Sequence, residues 1–154
     1  MLRIFGRLCM VCGVALSASA ATVPLRLYEI VTETGMPHLE ENLRYAVTRQ
    51  QRCLDDRDLA TAFPLLHHPS LADCSLQPSG SESDSMSYAL VCTGQHGTTG
   101  GATWEITPQL IHGMLQVRMG GKNMKFYQRI TARPMGDCDG ADTSRAQSRP
   151  QVTR

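Results

Sequence analysis

Cys74-Ser75-Leu76-Gln77-Pro78 and Met86-Ser87-Tyr88-Ala89-Leu90-Val91-Cys92-Thr93 are two short runs separated by a loop of Ser, Gly, Glu and Asp. An antiparallel pair with Cys74 opposite Cys92 sets Leu76 against Leu90, Pro78 against Tyr88 and Gly80 against Met86. All share one face, because a step of two along a strand keeps the face. The other face receives Ser75, Gln77, Ser87 and Ala89, with Val91 the one apolar exception. A single register thus satisfies both a disulfide and the apolar pattern. Pro78 then marks an edge or a strand end, since it cannot donate to a ladder.

The same test extends outward. Thr103 to Thr107 and Ile111 to Val117 flank Pro108-Gln109, and one register puts Ile106 opposite Ile111 and Trp104 opposite Gly113, which leaves room for the indole. Gly120-Gly121 has the composition of a two-residue hairpin turn; pairing Val117 with Met124 across it sets Leu115 against Phe126 and Ile111 against Ile130. Pro24 to Thr34 is a further strand, closed by Gly35-Met36-Pro37, and Asn42 to Arg49 a weaker one. Gly94 to Gly101 is glycine-rich and, with no helix N-terminus after it, reads as a connection and not a phosphate cradle. Between the strands, Leu54 to Leu59 has a helix-start pattern: Asp55 as cap, Asp58 three residues on, and Leu54 placed to pack on Leu59. A helix there ends before Pro64. The expected architecture is all-β: a mainly antiparallel meander of about seven strands, as a curved sheet or small barrel, with one short helix and two disulfides.

The ends of the chain differ in kind from this domain. Met1 to Arg7 carries Arg3 and Arg7, Leu8 to Leu16 is almost wholly apolar, and Ala18-Ser19-Ala20 follows. A basic start, a short apolar run and an A-x-A site are the marks of a secretory signal peptide. The run has about half the ~20 residues needed to span a bilayer, so no transmembrane helix is expected after cleavage. The expected organisation is a signal peptide over 1–20, one disulfide-stapled β domain over 21–138 and a disordered tail over 139–154, where apolar residues are few. The expected location is periplasmic or secreted.

Loss of Arg3 and Arg7 leaves thirteen basic side chains against 14 acidic ones. No basic stripe is left to meet a phosphate backbone, so nucleic acid is not an expected partner. Four cysteines remain, Cys53, Cys74, Cys92 and Cys138, a number that allows three connectivities. Their spacings are far from C-x-x-C zinc or redox motifs. With Cys74 and Cys92 paired by register, Cys53 and Cys138 form the second bond. Chain entropy assigns the first about 3 kcal/mol and the second, closing a far longer loop, about 4 to 5 kcal/mol. Against a typical total of about 5 to 15 kcal/mol these decide stability, all the more because the chain has only 3 Phe and 1 Trp.

Candidate chemistry is sparse. His67-His68 looks like a metal pair, and with His38, Met36, Met114, Met119 and Met124 a soft copper site can be drawn. Adjacent histidines diverge, however, and register splits the methionines between faces, so core filler is the favoured use of Met. Ser79, Ser81, Ser83 and Ser85 fall in a loop without a G-x-S-x-G elbow. Glu29 and Glu105 sit on strands, Glu105 on the face opposite Trp104. No P-loop, G-x-G-x-x-G or H-E-x-x-H occurs. No catalytic, cofactor-binding or metal residue is therefore assigned, and no cofactor is expected.

In order along the chain, Leu27-Tyr28-Glu29-Ile30, Gln51-Arg52-Cys53-Leu54 leading into Asp55 to Leu59, Cys74, Val91-Cys92-Thr93-Gly94, Gln128-Arg129-Ile130 and Gly136-Asp137-Cys138 resemble the small exported bacterial proteins of domain-of-unknown-function family 3617. The resemblance covers about residues 25 to 138. It departs at Tyr28, where the family has Trp, at Ala132, where Gly is usual, and in Met-rich last strands that are only partly kept. It implies export and a β-rich, disulfide-bonded fold; it implies no activity for any residue. The expectation is a non-enzymatic binding or interaction module of the cell envelope, its partner a small apolar ligand or an envelope protein. The alternative is soft-metal binding through Met and His. Whether Leu90, Trp104, Leu115 and Phe126 enclose a cavity or a filled core discriminates between uses of the inner face.

Overall fold

The computed structural model describes residues 22–36, 45–94, 97–120 and 124–138. The expected leader over 1–20 and tail over 139–154 lie outside the described residues, as does His38. Seven antiparallel strands form one sheet: β1 (Arg26–Gly35), β2 (Tyr45–Leu54), β3 (Cys74–Glu82), β4 (Ser85–Cys92), β5 (Thr99–Ile106), β6 (Ile111–Met119) and β7 (Met124–Gly136). Their order is β2-β1-β7-β6-β5-β4-β3. Strands β3 to β7 are the expected meander. The first strand then adds to the last, β1 lying against β7 over a ladder from Leu27–Gly136 to Gly35–Tyr127.

The sheet is open, which corrects the small-barrel expectation. β2 and β3 end the strand order and do not pair. The chain between them, residues 55–73, instead crosses the inner face and fills it. The expected two-turn helix there is replaced by three 3-10 turns, Asp56–Asp58, Pro64–His67 and Pro69–Leu71. The capping box does form: the Asp55 carboxylate accepts from the Arg57 amide at 2.8 Å, and Asp58 accepts from the Asp55 amide at 2.9 Å. Prolines at 64 and 69 then cut the segment into single turns, since neither can donate to an i−4 carbonyl.

The core follows period-two alternation. Tyr28 and Ile30 of β1, Ile130 and Ala132 of β7, Ile111, Leu115 and Val117 of β6, and Ala102, Trp104 and Ile106 of β5 are buried on one face. Leu59, Ala62, Phe63 and Leu71 of the crossing segment join them in one cluster, with Val23 from before β1. The Phe63 and Trp104 rings meet at 4.9 Å between centroids, tilted by 40°. Gly113 faces Trp104 as expected; a Cβ there would lie 2.5 Å from the indole, so glycine makes the seat.

Registers match expectation in two hairpins and depart in two places. Cys74–Cys92, Leu76–Leu90 and Pro78–Tyr88 pair as read. A bulge between Pro78 and Gly80 then shifts the ladder, so Gly80 meets Ser87 and Ser81 meets Met86. Bulges concentrate at sheet edges, and β3 is one. Across β6 and β7 the pairing is two residues from the expected one: Met119 meets Met124, Val117 meets Phe126, Leu115 meets Gln128 and Ile111 meets Ala132. Residues 121–123, which include the second glycine of the expected Gly-Gly turn, lie outside the described residues. The glycine-rich stretch also contributes to structure, because Gly100 and Gly101 begin β5, close against the backbones of β6 and β4.

Candidate functional site

Among the described residues the centre of the inner face is filled by side chains. Trp104 and Leu115 are fully buried and Leu90 nearly so; Phe126 is half-buried against the same cluster. The Gln128 side chain fastens the crossing segment down. Its Oε1 accepts from the Leu65 amide at 2.9 Å and its Nε2 donates to Thr34 Oγ1 at 2.7 Å. One buried polar side chain thereby joins β1, β7 and the cover.

The outer face of the same sheet carries the open space. A groove of ≈ 470 Å³ runs over β6 and β7, bordered by β5, and its lining includes Met114, Arg118, Lys125, Phe126, Tyr127 and Arg129. The ladder explains the grouping. Met114 faces Arg129, Gln116 faces Tyr127 and Arg118 faces Lys125, so three successive cross-strand pairs stack along one face. The Tyr127 ring lies across Gly35 on the neighbouring strand. Arg129 contacts Glu33 at 3.3 Å, both partly exposed. Arg118 and Lys125 are exposed and have no ion pair among the described residues. A second hollow of ≈ 400 Å³ lies at one end of the sheet, where Arg26 and Asp84 both contribute.

Charge is divided between the two sides. Among the described residues the outer face carries Arg49, Arg118, Lys125, Arg129 and Arg133 against Glu29, Glu33 and Glu105. The cover and the β3–β4 tip carry Asp55, Asp56, Asp58, Asp73, Glu82 and Asp84 against Arg57, which pairs with Asp55. Burial raises the phenol pKa of both Tyr28 and Tyr88 above the ordinary 10.0. For Tyr28, Arg26 opposes that shift and Asp56 adds to it; for Tyr88, Asp56 again adds. Asp56 also accepts from the Val23 amide, holding the segment before β1 onto the core. Arg52 Nε and Nη2 and Trp104 Nε1 are buried without a hydrogen-bond partner among the described residues.

The four cysteines pair as expected, Cys53 with Cys138 and Cys74 with Cys92. The first ties the edge strand β2 to the end of β7 across the start of β1; the second closes β3 on β4. The described members of the copper set do not converge. His67 and His68 are exposed on the cover, where His68 Nδ1 accepts from the Ser70 amide. Met114 lines the outer groove. Met119 packs partly on the core, whereas Met124, expected on the core face, is exposed. No group of three or more His, Cys, Asp or Glu among the described residues is placed to hold a metal ion. Glu29 and Glu105 are separated by two whole strands, β7 and β6. Ser79 and Ser81 belong to β3 and Ser85 to β4, not to a loop.

The basic groove was not among the expected sites. Its signal, Arg118 directly opposite Lys125, exists only in the observed β6–β7 register. A family model described as a protein of unknown function, DUF3617, matches residues 27–138. The chain belongs to the DUF3617 family. The matched span begins one residue into β1 and ends at Cys138, so it covers the DUF3617 sheet apart from Arg26, and both disulfides. No curated protein and no solved structure matches the chain. No helix among the described residues is long and apolar enough to cross a membrane.

Proposed function

We propose that this DUF3617 protein is an exported, non-enzymatic binding module of the cell envelope, and that it binds through the outer face of its sheet. The observation that carries the reading is the contrast between the two faces. The inner face is filled by Phe63, Leu59 and Leu71, whereas the outer face has a ≈ 470 Å³ groove, within the range of about 300 to 1,000 Å³ common for small-molecule sites. Of the two uses of the inner face left open by the sequence, a filled core and a cavity, the contrast favours the filled core, and the ligand is sought on the other face. Export is supported by the signal-like pattern of residues 1–20 and by two disulfides, which persist in oxidising compartments. The soft-metal alternative has no observation in its favour and is not pursued.

The test is expression with the native leader, fractionation, and native mass spectrometry of protein from the envelope. The expected result is a non-cytoplasmic protein carrying a small-molecule adduct, lost in Met114→Trp, which fills the groove. A bare mass, or recovery in the cytoplasm with free thiols, would overturn it.

A further inference from the structure

We infer that the groove recognises an anionic amphiphile, a phosphate or carboxylate head between Arg118 and Lys125 with an apolar body along Tyr127 and Met114; this rests on the outer-face reading above. Like charges directly opposite across a ladder repel and destabilise the pair. Arg118 and Lys125 occupy such positions, and no described carboxylate pairs with either. Among the described residues that line the groove the remaining cation, Arg129, is engaged with Glu33. A local conflict that packing does not require, at the rim of a groove, marks a place where a ligand supplies the missing charge. An oxyanion there accepts charge-assisted hydrogen bonds from both side chains.

The rest of the groove is not that of a simple ion site. Four residues along β6 from Arg118 stands Met114, about 13 Å away at strand rise. Between them the outer face offers the cross-strand pair Gln116 and Tyr127. At one end stand Arg118 and Lys125, with no carboxylate partner among the described residues; toward the other lie Tyr127 and the Met114 thioether, beside Arg129 whose charge is already met by Glu33. That arrangement fits a molecule with a charged head and an apolar body. An inorganic anion would leave the apolar part unused.

The experiment is titration calorimetry of the oxidised full-length mature protein with decyl phosphate below its micelle concentration, against an uncharged decyl glycoside and inorganic phosphate. Decyl phosphate is expected to bind at least about tenfold more tightly than either, and to lose at least about tenfold in Arg118→Gln/Lys125→Gln. Both side chains are exposed, so that variant keeps its fold, with a thermal midpoint equal to or above that of the parent once the repulsion is removed. Raised salt weakens binding of the phosphate and not of the glycoside. Vesicles with and without an anionic lipid separate the two sources of such a head: co-sedimentation only with anionic vesicles assigns a bilayer headgroup, and binding of monomer alone a soluble amphiphile. Either source upholds the inference. Equal binding of glycoside and phosphate, both lost in Met114→Trp, would overturn the anionic head and leave the groove standing. No binding of either by the parent protein would remove the groove as well.

Discussion

Gly113→Ala puts one methyl group into the most closely packed point of the core. The added Cβ would lie 2.5 to 2.7 Å from three atoms of the Trp104 ring, which is fully buried and has Phe63 beside it. On entropy alone the substitution stabilises a strand by about 0.5 to 1 kcal/mol. Overpacking a rigid ring costs about 1 to 3 kcal/mol, so the clash wins and the net effect is a loss of about 1 to 2 kcal/mol. With a urea dependence of about 2 kcal/mol per molar, the middle of the usual range, the midpoint falls by about 0.5 to 1 M. The chain has a single tryptophan, so its fluorescence reports unfolding and any displacement of the indole in the folded state. Trp104→Leu is itself destabilising, but on that background Gly113→Ala should cost far less, a non-additivity expected of groups in contact. An unchanged midpoint for Gly113→Ala, or the same loss with and without the indole, would refute the seat described for Trp104.

Three further expectations concern the ties that hold cover and sheet. Reduction should lower the denaturation midpoint sharply, and Cys53→Ala/Cys138→Ala should cost more than Cys74→Ala/Cys92→Ala, because the loop it opens is longer; coincident midpoints with and without reductant would contradict this. Gln128→Leu removes the acceptor for the Leu65 amide and should cost about 1 to 3 kcal/mol, read as faster hydrogen exchange at residues 63–67 relative to the sheet. The raised phenol pKa values of Tyr28 and Tyr88 mean the native state holds those protons longer than the unfolded chain does. Their contribution is fully present below about pH 10 and is lost as pH rises through the higher folded-state values. Urea midpoints measured from pH 8 to 11.5 should therefore fall above about pH 10, and Tyr28→Phe/Tyr88→Phe should flatten that fall.

Register was readable where two independent constraints coincided. Cys74 and Cys92 demanded proximity, Leu76 and Leu90 demanded a shared face, and only one alignment met both. Between β6 and β7 there was no covalent marker. A shift of two residues keeps every side chain on its face, so apolar pattern could not separate Val117–Met124 from Val117–Phe126. That ambiguity also hid the groove, since the expected register sets Arg118 opposite Asn123 and leaves Lys125 facing Gln116. The bulge after Pro78 and the 3-10 turns were likewise out of reach. Asp55 and Asp58 mark a start with equal force for a helix or a single turn, and the path of the chain beyond them is decided by Phe63 packing on Trp104. An inner face filled by residues 55–73 required knowing that this segment crosses the sheet, a long-range fact that no local period carries.

Because β1 lies beside β7, the earliest strand has its inner neighbour about a hundred positions further along the chain. A polypeptide that emerges amino end first can close the β1–β2 hairpin early, but it has nothing to dock that hairpin on until the final strand arrives. Such remote pairing makes folding slow and postpones it until synthesis or translocation of the whole domain is complete. It also makes the carboxyl-terminal strand indispensable: cutting the chain before β7 does not trim the molecule but divides it in two.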